Sequence, residues 1–153
     1  MPPVDPAPAA ADLPYIDEHR VLVAAPASAV WRAIARQFGR PGRHAEAYAH
    51  LVAADPRRSS GRLFDEGATV PGFAVADVAP ERSVRLVGRH LFSRYALVLT
   101  LHEQPDGTLL SARTYAEFPG LHGRVYRALV IGTGAHRGLV GRILRGIRHR
   151  AEG

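Results

Sequence analysis

Residues 82–118, RSVRLVGRHLFSRYALVLTLHEQPDGTLLSARTYAEF, decide the fold class of this chain. Apolar residues recur here with a period of two, the repeat of a pleated strand whose successive side chains point to opposite faces. The pattern predicts strands over 82–91, 94–103 and 108–118, preceded by one over 72–79. Pro80 with Glu81 makes one turn, and Gln104-Pro105-Asp106-Gly107 makes another with hairpin chemistry. Pro119-Gly120 closes the last strand. Strands joined by turns this short pair antiparallel, because a parallel pair needs a long crossover.

Parity then assigns the faces. In 82–91, Val84, Leu86, Gly88 and His90 share one side, and Arg85, Val87, Arg89 and Leu91 the other. Two arginines belong in water, so the His90 side faces inward. In 94–103 the larger apolar set, Tyr95, Leu97, Leu99 and Leu101, is the inward one. In 108–118 it is Leu110, Ala112, Thr114, Ala116 and Phe118, with Arg113 and Glu117 outside. Asp77 has the parity of Phe73 and Val75, at a position that reads as a solvated strand end.

Working outward, residues 1–15 are rich in Pro and Ala and are expected to be an unpacked, flexible lead-in to a single domain over 16–150. IDEHRVLVA (16–24) reads as a first strand. Pro26 opens a helix where its missing N–H costs nothing. Ala27, Val30, Trp31, Ile34 and Phe38 fall at helical spacing, and Gly39 supplies the stop. RPGR (40–43) is a break, and 44–54 reads as a second short helix with Tyr48, Leu51 and Val52 inward. Residues 55–69 read as a polar loop with room for a short strand. Residues 121–150 read as one long helix of about 45 Å. Its apolar stripe holds Val125, Leu129, Val140, Ile143 and Ile147, with Arg124, Arg127, Arg142, Arg145 and Arg148 on the other side. Gly132, Gly134, Gly138, Gly141 and Gly146 lie inside that span, each costing about 1 kcal/mol against Ala, so a break at 132–138 is left open.

The length, 153 residues, suits one domain, and a 46% hydrophobic composition is enough for a core. There is no cysteine, which excludes disulfides and thiolate metal sites. MPPVDPAPAAADLP (1–14) has no basic start and no apolar h-region and is not expected to be a secretory signal. No run approaches the length of a membrane-spanning helix, and a cytoplasmic location is expected. The net charge is +6 and is carried entirely by residues 121–153, where seven Arg meet one acid. The remaining 13 Arg are matched by 13 acids. All 20 basic residues are Arg, and Lys and Asn are absent, a bias typical of GC-rich coding that weakens a functional reading of the arginines.

The order strand, helices, antiparallel strands and C-terminal amphipathic helix resembles the SRPBCC superfamily. This is the helix-grip fold of START domains, birch-pollen-allergen-like proteins and polyketide cyclases. The residues that carry the resemblance are VLVAAPASAVWRAI (21–34), GFAVADVAPERSVRLVGRHLFSRYAL (72–97) and YAEFPGLHGRVYRALVIGTGAHRGLV (115–140), and it covers 16–150. Two of these stretches look characteristic of a bacterial branch without assigned chemistry. The resemblance implies an α+β fold, with a curved antiparallel sheet wrapped around a long C-terminal helix and two short helices after the first strand. It also implies a cavity for a hydrophobic ligand between sheet and helix.

On that picture His90, Tyr95, Thr114, Thr133 and His136 are polar groups on otherwise apolar inward faces. An unsatisfied buried polar group costs about 1–3 kcal/mol, so five together are expected to bond one another, water or a ligand. The candidate ligand-binding residues are Phe73, Leu86, His90, Tyr95, Leu97, Thr114, Leu129, Thr133 and His136. The placement of His136 assumes a helix continuous through Gly134. A lone inward His is more often a satisfied core residue, and Trp31 reads as core packing. The eight His show no HxH or HExxH spacing, and neither metal nor cofactor is expected. Arg57-Arg58-Ser59-Ser60 reads as loop, and no nucleophile elbow, P-loop or dinucleotide fingerprint occurs.

The favoured function is non-catalytic binding of a small hydrophobic molecule, lipid or polyketide-like. The second reading is a cyclase or dehydratase using His90 or His136 as acid or base. The third is a module whose basic helix face contacts anionic membrane, with nucleic acid the weaker partner. The oligomeric state is not legible.

Overall fold

The structure, a computed structural model, describes residues 13–39, 64, 67–70, 73–91, 93–132 and 134–153. The expectations for 1–12, 40–63 and Thr133 lie outside the described residues. That includes the second helix with Tyr48, Leu51 and Val52.

The alternating pattern does form an antiparallel sheet. Its strands are β1 (Tyr15–Val23), β2 (Thr69–Val70), β3 (Phe73–Ala79), β4 (Ser83–His90), β5 (Ser93–Gln104) and β6 (Gly107–Glu117). Their order is β1-β6-β5-β4-β3-β2, a meander whose last strand pairs back with the first. Gln104 pairs with Gly107, so the β5–β6 turn is the two residues Pro105 and Asp106. Three helices accompany the sheet among the described residues: α1 (Ala27–Gly39), α2 (Gly120–Val130) and α3 (Ala135–Glu152). This α+β arrangement of a curved sheet and a final helix is consistent with a helix-grip fold.

Sheet parity follows the expected faces. Val84, Leu86, Leu97, Leu99, Leu101, Leu110 and Ala112 join one core with Val30, Ile34 and Phe38 of α1 and Val140, Leu144 and Ile147 of α3. The first turn of α1 is closed by the Ala29 and Val30 N–H groups, which donate to the Pro26 carbonyl at 3.0 and 3.1 Å. Thr108 is fully buried, and its hydroxyl donates to the Ala25 carbonyl at 2.8 Å, fixing the β1–α1 passage to the start of β6. Glu152 makes a second tie: one carboxylate oxygen accepts the Ala24 N–H at 2.9 Å and Arg148 at 3.1 Å. The Ala24 hydrogen bond, ahead of the arginine, holds that carboxyl below its ordinary range.

Outside, the sheet carries cross-strand ion pairs. Glu18 faces Arg113 in register and accepts from it at 3.4 Å and from Arg20 at 3.0 Å, while Arg94 meets Glu117 opposite it at 3.1 Å. The Arg20 hydrogen bond is the main cause of a lowered Glu18 pKa. Arg85 corrects the reasoning about water. It lies on the outer face as alternation requires, but in mid-sheet, opposite Asp77 on β3 and Val98 on β5, it is buried.

Bulges re-aim two strands. Val75 pairs with Leu86 and Asp77 with Arg85, so Ala76 is an extra residue that moves Asp77 off the parity of Phe73 and Val75. An equal shift at Ile16 separates Tyr15, paired with Tyr115, from Asp17, paired with Thr114.

The long C-terminal helix is two helices. α2 ends as the Ile131 N–H donates to the Arg127 carbonyl. Gly134 then takes a left-handed conformation, φ 79°, ahead of α3. A residue without Cβ adopts that conformation at no steric cost, and the ladder of helical hydrogen bonds stops there. The break divides the expected stripe. Val140 and Ile147 are buried and Ile143 partly so, whereas Val125 and Leu129 of α2 are exposed. The five arginines therefore belong to two separate helices and do not form one continuous face.

A candidate ligand site on the inner face of the sheet

The alternation of β1 sends Asp17, His19, Val21 and Val23 to the side that α3 covers. Val23 is fully buried there and Val21 packs against the core. Further along the strand the same face becomes polar. The Asp17 carboxylate accepts two imidazole N–H groups, from His136 Nε2 at 3.2 Å and His19 Nε2 at 3.1 Å. His136 comes from the first turn of α3, 119 residues away, on the face that also carries Val140, Ile143 and Ile147. Restarting at Ala135, α3 keeps His136 inward although the helix is broken at Gly134. The three side chains retain 19% (Asp17), 27% (His19) and 15% (His136) of their exposure, so they are shielded yet reachable.

Thr114 faces Asp17 across the β1–β6 pair and Leu97 across the β5–β6 pair. It is 8% exposed, and its hydroxyl has no hydrogen-bond partner among the described residues. Directly opposed residues on one face have Cβ atoms about 5 Å apart, so the hydroxyl stands beside the Asp17 group. Both Asp17 oxygens are already engaged by histidines. Leu97, Ala112 and Ala116 complete a mostly apolar floor.

A second cluster lies further across the same face. The Phe73 ring meets Tyr95 edge-on at 5.3 Å and Phe38 at 6.3 Å. Trp31 stacks on Phe64 at 4.1 Å and packs against the core, as expected of it.

The structure thus sorts the candidate residues. Thr114 and His136 come together around Asp17. Leu86 and Leu97 are buried in the core, Leu97 next to Thr114 in register. Phe73 and Tyr95 meet each other, in the aromatic cluster. Leu129 is exposed on α2 and lines none of this. His90 closes β4 opposite Ser93, and its side chain lies outside the described residues, as does Thr133. Sequence reasoning missed Asp17 and His19. The signal was present in IDEHRVLV: parity puts Asp17 and His19 on the side of Val21 and Val23.

Chemically the group offers one hydroxyl, and two rings whose Nε2–H groups are held by one carboxylate. In a neutral ring of that tautomer Nδ1 is an acceptor. A donor and acceptors beside apolar surface suit a ligand hydroxyl or carbonyl. Among the described residues no cluster of His, Asp and Glu is arranged to hold a metal ion. No described helix is long and apolar enough to cross a membrane.

No protein-family model matches the chain, and no curated protein does. Solved structures do. An uncharacterized protein from Rhizobium leguminosarum is similar with a TM-score of 0.57 at 15% identity, over 89% of this chain and 93% of that one. A protein from Thermus thermophilus gives 0.57 at 16%, over 90% and 97%. A protein from Chromobacterium violaceum gives 0.55 at 12%, over 90% and 96%. At such identities the likeness concerns the fold alone: this chain has the fold of these bacterial proteins.

Proposed function

We propose that the protein binds a small, mostly apolar molecule bearing a hydroxyl or carbonyl, between the inner face of the sheet and α3. The observation that carries this is Thr114, a buried hydroxyl without a partner among the described residues, set beside the carboxylate-held His19 and His136 on an otherwise apolar face. A stranded buried hydroxyl costs about 1–3 kcal/mol, and a ligand that bonds it recovers that cost. The sheet order and final helix support placing the chain in the SRPBCC superfamily, with lipid or polyketide-like molecules as the ligand class. A cytoplasmic location belongs to the same proposal. The test uses 2-naphthol and naphthalene, two rings that differ by one hydroxyl. The alcohol is expected to bind about tenfold more tightly, and Thr114→Val to narrow the gap. Equal affinity of the two for the wild-type protein sinks the polar anchor.

The hydrogen bond from His136 to Asp17 favours a second reading. A carboxylate that orients an imidazole is an arrangement used for general acid–base catalysis, which typically supplies about 10²–10⁴-fold. Under this reading the protein is a cyclase or dehydratase, and His136→Gln abolishes turnover instead of only altering affinity. Recovery of a bound molecule unchanged after long incubation favours the carrier.

A further inference from the structure

α2 turns its apolar side outward. At 100° per residue Leu121, Val125 and Leu129 follow one line along the helix, and they are 73%, 55% and 61% exposed. The opposite side meets the fold: Gly123 is buried, and Tyr126 and Val130 are half-buried. A surface helix normally buries its apolar stripe and shows water its polar one. Here exposed Arg124 lies on one flank of the apolar line and exposed His122 on the other, while exposed Arg127 lies further round, at the edge of the side that meets the fold. Arg127 is held in place, its guanidinium carbon 5.8 Å from the centre of the Phe118 ring, which itself lies 6.2 Å from the Tyr126 ring. From Phe118 to Ala151 the chain has seven Arg and not one Asp or Glu.

We propose that α2 is an interfacial helix that lays Leu121, Val125 and Leu129 into the surface of a bilayer containing anionic lipid, with Arg124 on its flank against the head groups. Charge complementarity chooses the occupant. A row of apolar side chains edged by arginine, within an acid-free stretch, matches the layered chemistry of such a surface, apolar below and anionic above. The inference stands apart from the ligand site, since none of its residues lies on the inner face of the sheet.

The experiment is flotation with vesicles of phosphatidylcholine alone, or with about one third phosphatidylglycerol, at low and high salt. Wild-type protein is expected to float with the anionic vesicles only, and to release in high salt. Leu121→Asn with Val125→Asn, at exposed positions that leave the core untouched, is expected to weaken partitioning by at least about tenfold. Arg124→Glu is expected to weaken it about fivefold or more. Leu22→Asn, exposed on β1, serves as a control and should change nothing. Equal binding to neutral vesicles, or unchanged binding by the double variant, overturns the proposal. So does self-association in lipid-free sedimentation that the double variant abolishes, which would make the face a contact between copies.

Discussion

Thr114 sets the chemistry of the inner face at the scale of single residues. Leu97, opposite it on β5, is apolar, and Asp17, opposite it on β1, already serves two histidines. Replacing the hydroxyl by a methyl group of the same shape removes an unsatisfied polar atom. Thr114→Val is therefore expected to stabilise the free protein by about 1 kcal/mol in urea denaturation, while weakening a hydroxyl-bearing ligand. Destabilisation would mean that the hydroxyl has a partner in the free protein. The inward placement of Thr114 and His136 was legible from alternation and helical spacing. Their meeting at Asp17 was not, because pairing of β1 with β6 joins positions almost a hundred residues apart, and no local pattern encodes which strand edge closes the sheet. Nor was the parity of Asp77 legible, since one extra residue at Ala76 resets the alternation and leaves no mark on composition.

At the scale of elements the sheet was readable, and the break in the C-terminal helix was legible only as an open possibility, from the glycines at 132–138. The strands announce themselves by period two, and their turns by Pro, Asp and Gly. The helical spacing of 121–150 was equally clear, but spacing is blind to a single left-handed residue, and either half alone satisfies a 3.6 period. Gly134 and Gly138 separate the two descriptions. At Gly134, φ 79°, a side chain is strained, and Gly134→Ala is expected to cost about 1 kcal/mol. Gly138 sits inside α3 with open space where its Cβ would be, and Gly138→Ala is expected to stabilise by about 1 kcal/mol. Thermal unfolding of both variants decides: stabilisation by both substitutions would indicate a continuous helix. The same break explains why Leu129, which spacing placed in the site, is exposed. It turns with α2, while His136 turns with α3.

At the scale of the whole molecule, the first strand and the last helix, elements far apart in the chain, build the polar end of the inner face. They are joined by His136 on Asp17 at one end of α3 and Glu152 on Ala24 at the other. A ligand bonded to Thr114 and the histidines would thus lean on the seam that closes the fold. The most direct test is native mass spectrometry of the protein purified gently from its own host, comparing wild type with Thr114→Val. The account predicts a co-purifying small molecule carrying a hydroxyl or carbonyl on the wild-type protein, at clearly lower occupancy on the variant. A wild-type protein that carries no such molecule, or one held equally by the variant, contradicts it.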